Sequence, residues 1–113
     1  MTGPDEILDF WLNTVGEQGW YKQDEALDQE IRTRFETTWE AACAGKLNHW
    51  RSGPEGVLAY IILTDQFPRN MYRGKAAAFA SDALALASAK CAISKSWDMK
   101  IAEPERQFFY LHL

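Results

Sequence analysis

Apolar residues recur along this chain at helical spacing, and no segment alternates in the manner of a strand. The first stripe is Ile7, Leu8, Trp11 and Leu12, one face of a helix. Pro4 suits a first helical position, and Asp5 and Glu6 favour the positive end of the helix dipole. The pattern predicts a helix over 4–13. Gly16 and Gly19 interrupt it, so 14–23 reads as a loop carrying Trp20 and Tyr21. A longer stripe follows in Leu27, Ile31, Phe35, Trp39 and Ala42, while Asp28, Glu30, Arg32, Arg34, Glu36 and Glu40 occupy the other faces. With Asp24 as N-cap and Gly45 just past the end, this is a surface helix with one buried side over 24–44.

Ser52 and Glu55 have the spacing of a capping box and predict the start of a third helix. The run from Val57 to Leu63 is apolar almost all round, which predicts a central helix touched from several sides. Pro68 disfavours helical geometry at the residue before it, so this helix is expected to end near Phe67. An alanine-rich fourth helix is expected over 75–95, with Phe79, Ala83, Leu86 and Ala87 on one face. A loop over 97–102 leads to a fifth helix, with Pro104 in its first turn and Gln107 to Leu113 beyond. That apolar segment carries no terminator. It implies either a terminus buried against another subunit or a chain shorter than its parent domain. The fold class is all-α: about five helices in stacked antiparallel pairs, as a bundle or right-handed superhelix. No two windows repeat the 34-residue tetratricopeptide pattern.

Composition narrows the function classes. The 113 residues fit a single domain, and 47% hydrophobic with 13% aromatic content argues against disorder. The net charge is −4 and no dense Lys/Arg run exists, which speaks against nucleic acid as a general partner. No apolar run approaches the roughly 18 residues of a membrane span, and the N-terminus lacks the basic and apolar regions of a signal peptide. A cytoplasmic protein without a membrane partner is expected. Cys43 and Cys91 form no CxxC pair and stand at no metal-ligand spacing from His49 or His112. Both read as small buried hydrophobes, with no metal and no cofactor implied.

Chemistry concentrates in Thr64-Asp-Gln-Phe-Pro-Arg-Asn-Met-Tyr-Arg-Gly74. Arg69 and Arg73 are four apart, so one helical turn places both on one face. Two guanidiniums side by side suit a carboxylate or phosphate. Asp65 is expected to hold one arginine and Asp82 the other, with Gln66 and Asn70 beside them. The plainer account is a structural ion-pair network with Asn70 and Gly74 as turn residues. Trp11, Trp20 and Tyr21 are aromatic candidates for a ligand wall, although aromatics mostly build cores; Trp20 and Tyr21 are the ones expected to be exposed. His112 has the pKa range of a general base. No catalytic triad, zinc, glycine-rich phosphate-loop or paired-carboxylate motif is present.

Asp9-Phe-Trp11, Trp20-Tyr21, Leu63-Thr-Asp-Gln-Phe-Pro-Arg-Asn70, Arg73-Gly74, Phe79-Ala-Ser-Asp82 and Phe109-Tyr-Leu111 occur in this order. Together they resemble the bacterial family filed as domain of unknown function 924. The resemblance covers nearly the whole chain, and its most specific motif is Asp-Gln-Phe-Pro-Arg-Asn. It implies an all-helical fold similar to tetratricopeptide-repeat proteins and no reaction. The family pattern runs on past Phe-Tyr-Leu into a polar motif and further helices, so residues 1–113 are expected to be one helical domain lacking the family's C-terminal helices.

The leading functional expectation is a binding module that holds an anionic group of a peptide or small molecule through Asp65, Gln66, Arg69, Asn70, Arg73 and Asp82. A second is a hydrolase on a small acidic substrate, with Asp65 or His112 as base and Arg69 or Arg73 stabilising the oxyanion. A third is a homo-dimer joined through the apolar segment 108–113.

Overall fold

A computed structural model describes residues 2–111 of the chain. Among these residues the regular structure is helical, with five α-helices: α1 (Pro4–Leu8), α2 (Glu25–Cys43), α3 (Pro54–Ile61), α4 (Phe67–Met71) and α5 (Asp82–Ser94). The number agrees with the sequence pattern, but the membership differs in three places.

Helix α1 runs without a break into a wider π-type turn, Asp9–Val15. The amide of Gly16 donates to the Trp11 carbonyl five residues back, at 3.1 Å. Gly16 itself has φ +73, a left-handed conformation that glycine adopts without Cβ strain and that ends the helix. Helix α2 follows the expected design. The Asp24 carboxylate accepts from the amides of Ala26 and Leu27 at 3.0 and 3.2 Å. Ile31, Phe35, Trp39 and Ala42 are buried, and Gly45 closes the end at φ +78.

The expected capping box does not form. Ser52 belongs to a 3-10 turn, Asn48–Ser52, and its hydroxyl donates back to the His49 carbonyl at 2.9 Å. Gly53 takes the N-cap position and Pro54 opens α3. Nor does the third helix stop at Phe67. Helix α3 passes through a π-type turn, Ile62–Gln66, directly into α4, and Phe67 keeps helical angles (φ −62, ψ −42) although Pro68 follows it. The Phe67 amide bonds the Ile62 carbonyl, five residues back. This widened turn relaxes the crowding a proline ring imposes on the preceding turn. The carbonyl that Pro68 has no N–H to reach, on Thr64, accepts the Ser81 hydroxyl at 2.6 Å. Val57 to Leu63 are all buried, as the all-round apolar run predicts.

The expected fourth helix is divided. A 3-10 turn, Ala76–Phe79, precedes α5. The inward face of α5 is Ala85, Ser88, Ala89 and Ala92, while Phe79, Ala83 and Ala87 are exposed and Leu86 is half-buried. The small residues turn inward because α5 packs closely on α3, which leaves the larger stripe outside. Ala76–Ser94 is long and apolar enough by length and composition to cross a membrane, which counting unbroken apolar runs did not reveal. Cys43 is exposed and Cys91 half-buried, so neither is the core hydrophobe expected.

The expected fifth α-helix is replaced by 3-10 turns at Asp98–Lys100 and Glu105–Phe109. Phe108 and Phe109 are buried within the chain's own core, and Tyr110 and Leu111 are exposed. His112 and Leu113 lie outside the described residues. The core is an aromatic mosaic. Phe10 meets Phe35 and Phe67 edge-on at 5.1 and 6.2 Å, and Phe35 lies 4.9 Å from Phe67. Trp11 and Trp20 carry the mosaic to Phe108 at 6.3 and 4.8 Å. Such edge-on pairs add about 0.5–1.5 kcal/mol each beyond the area they bury. They tie the N-terminal helix, α2, α4 and the C-terminal segment together beside the polar cluster.

Candidate functional site

The π-type turn between α3 and α4 places Thr64, Asp65 and Gln66 in succession, and all three are buried. Successive side chains on a helix point about 100° apart, so three consecutive buried polar residues need cover from several sides, and each needs a partner. The Thr64 hydroxyl donates to the Tyr60 carbonyl at 2.8 Å. Asp65, only 1% exposed, receives Gln66 Nε2 at 2.8 Å and lies 3.0 Å from Arg69 Nη2, one turn along.

Arg69 also lies 3.7 Å from Asp82 at the start of α5. Asp65 and Asp82 therefore hold the same arginine, not one each as the sequence suggested. Arg73 is gripped by Asp28 of α2. Its Nε donates to Oδ2 and its Nη2 to Oδ1, both at 2.9 Å, and Asn70 Nδ2 reaches Oδ1 at 2.9 Å as well. The shared carboxylate pushes the Arg73 guanidinium further above its ordinary value. Asp28 escaped the sequence reading because it looks like one charge of a solvated helix face. Its partners stand 42 and 45 residues away, beyond the reach of any local pattern.

A cleft of about 320 Å³ opens over this network. Gln66, Arg69, Asn70 and Arg73 line it from the helical side, and Trp20, Tyr21 and Lys22 from the loop after α1, with Leu111 at its edge. Asp28, Asp65 and Asp82 are not part of the lining. Trp20 is 4% exposed, a correction to its expected exposure: its indole N–H donates to the Trp11 carbonyl at 2.7 Å and its ring meets Phe108 edge-on. Tyr21 is 64% exposed, as expected, and its hydroxyl donates to Gln107 Oε1. That bond joins the loop to the C-terminal segment. Burial raises the Tyr21 phenol pKa, and the charges of Asp65 and Glu17 raise it further. Trp11 is wholly buried and belongs to the core, not to the cleft.

Of the sequence candidates, Gln66, Arg69, Asn70 and Arg73 thus meet in one cleft with Trp20 and Tyr21, while Asp65 and Asp82 orient Arg69 from outside it. Lys22 and Leu111 are the described lining residues that were not among the sequence candidates, and only the position of Lys22 after Trp20-Tyr21 could have suggested it. Asp65 is enclosed and already engaged by two donors, which gives it no direct approach to a bound substrate. His112 lies outside the described residues. Among the described residues, no group of three or more His, Cys, Asp or Glu side chains is arranged to hold a metal ion.

The model of the family described as "Bacterial protein of unknown function (DUF924)" matches residues 7–113. A solved structure of a protein of unknown function from Agrobacterium tumefaciens is similar at a TM-score of 0.92 and 39% identity. The match covers 96% of this chain and 61% of that one, so the chain spans less than two thirds of that relative's length. No curated protein matches the chain.

Proposed function

We propose, for a chain that belongs to the DUF924 family of bacterial proteins of unknown function, that the cleft binds the anionic group of a small molecule or of one acidic peptide side chain. The observation that carries this reading is convergence. Three cationic side chains and two nearly buried amides line one small cleft, and both arginines are fixed in place by carboxylates that stay outside it. Arginines already oriented lose little side-chain entropy when a ligand arrives. The bidentate grip of Asp28 uses two of the five N–H donors of Arg73, so others remain to be offered. The volume is at the lower end of ligand pockets, enough for a small acid or the end of one side chain. In this reading the scaffold is a tetratricopeptide-like stack, supported by α3 packing on both α1 and α5 while α2 packs on α4.

The test is a titration of the chain with a panel of small carboxylates and phosphates, followed by NMR at the side-chain amides of Gln66 and Asn70 and the Trp20 indole N–H. Saturable shifts at these groups are expected from at least one panel member. Arg69→Gln removes the charge yet keeps an amide donor for Asp65, and it is expected to weaken binding about tenfold, as for one lost charged contact of about 1.4 kcal/mol. A panel that moves none of these signals, or a variant that binds as before, overturns the reading.

A further inference from the structure

Resting on the anion-binding reading, a contrast between the two sides of the cleft narrows the ligand further. We propose that it is a small aromatic acid, with its anionic group held by the helical side and its ring laid against Tyr21 and Leu111. The helical side is polar throughout. Gln66, Arg69, Asn70 and Arg73 line it, and their guanidinium and amide groups suit the oxygens of a carboxylate or phosphate. The loop side is built differently. Trp20 and Tyr21 each carry one polar group, and each directs it away from the cleft. The Trp20 indole N–H goes to the Trp11 carbonyl, and the Tyr21 hydroxyl goes to Gln107. Neither Trp11 nor Gln107 lines the cleft.

What the side chains of Tyr21 and Leu111 bring to the lining is therefore carbon. Trp20 is nearly buried and adds little area, but Tyr21 and Leu111 are both exposed. Aromatic and aliphatic carbon beside a few convergent polar groups is the composition of a small-molecule site. An inorganic anion or a short aliphatic acid uses the helical side alone and leaves that carbon in water. A flat ring joined to the acid covers it. The bond to Gln107 restrains the Tyr21 ring, so part of its side-chain entropy is lost before a ligand arrives. Aromatic rings that meet offset or edge-on gain more than the area they bury, and the same loop already makes such a contact between Trp20 and Phe108 at 4.8 Å. The cleft of about 320 Å³ has room for one ring with its acid group. Covering one side of that ring takes on the order of 60 Å² of apolar surface out of water, which corresponds to about tenfold in affinity.

Two pairs of probes decide the matter: acetate with benzoate, and inorganic phosphate with phenyl phosphate. Each is titrated against the chain and followed at the side-chain N–H signals of Gln66, Asn70 and Trp20. In the pair that binds more tightly, the aryl member is expected to exceed its partner about tenfold, the equivalent of about 1.4 kcal/mol. Cyclohexanecarboxylate, apolar but not flat, is expected to bind less tightly than benzoate. Tyr21→Ser removes the ring and is expected to cut the aryl preference to about twofold or less. Tyr21→Phe keeps the ring without the bond to Gln107 and is expected to retain most of the preference. An aryl member no tighter than its partner overturns this inference and leaves the anion reading standing. So does cyclohexanecarboxylate equal to benzoate, a full preference in Tyr21→Ser, or a preference lost as completely in Tyr21→Phe. Failure of every probe overturns both.

Discussion

Ser81 shows how much one side chain does here. Its hydroxyl donates to the Thr64 carbonyl, which Pro68 has no N–H to reach, and accepts the Trp39 indole N–H at 2.9 Å. One buried oxygen thus satisfies a donor on α2 and an acceptor in the turn between α3 and α4. Replacing it strands two buried polar groups, each worth roughly 1–3 kcal/mol when unpaired. Ser81→Ala is therefore expected to lower stability by about 2–4 kcal/mol in chemical denaturation, and Ser81→Thr, which keeps the hydroxyl, by less. Equal losses in the two variants would mean that shape and not the hydrogen bonds matters at this position.

At the scale of elements, close approach decides. Gly56, in the first turn of α3, lies so near the preceding 3-10 turn that a Cβ would stand 2.2 Å from the Trp50 carbonyl oxygen. The helix start and the turn cannot both keep their places around a methyl group. Gly56→Ala is expected to cost more than the usual 1–3 kcal/mol of overpacking, although alanine is the better helix former. A midpoint at or above that of the parent chain in thermal unfolding would contradict this packing. Much of the element plan was legible in the sequence. The Leu27 to Ala42 stripe, the Asp24 cap, Gly45 and the all-apolar run each specify their own local geometry. What was not legible depends on distant partners. Ser81, 13 positions beyond Pro68, donates to the Thr64 carbonyl that the proline cannot serve. Phe79 stands in the 3-10 turn before α5, so it does not share that helix's face. The candidate cluster was visible as a dense polar run, and four of its members do share a cleft, but the Asp28 grip and the place of Lys22 arise only from tertiary packing.

For the whole molecule, the tyrosines connect segments that are far apart in sequence. Tyr21 bonds Gln107, Tyr72 bonds Glu36 at 2.5 Å, and Tyr110 bonds Asp98 at 2.5 Å. All four tyrosines have raised pKa values. Tyr72 is pushed up to about 12, first by burial and then by its hydrogen bond to Glu36. Each phenol proton is held more firmly in the folded chain than in the unfolded one. The stability this contributes is complete below the ordinary tyrosine value of 10.0 and is lost as pH rises from there through about 12. Denaturation midpoints are expected to be flat across the mildly alkaline range and then to fall, while absorbance at the phenolate band shows Tyr72 ionising last. Tyr72→Phe should remove that final step. Four phenols titrating together at the ordinary value would refute the arrangement.

The widened turn at Ile62–Gln66 amounts to one residue more than a regular helix would use over the same rise. Everything after it is thereby rotated about 100° relative to everything before it. Shortening this turn by a single residue would act less like a deletion than like turning a key. Val57 to Ile61 would keep facing the core, while Arg69, Asn70 and Arg73 would swing together away from Lys22. The orientation of the cleft's helical wall is thus stored as an angle in the backbone, upstream of every side chain that lines it.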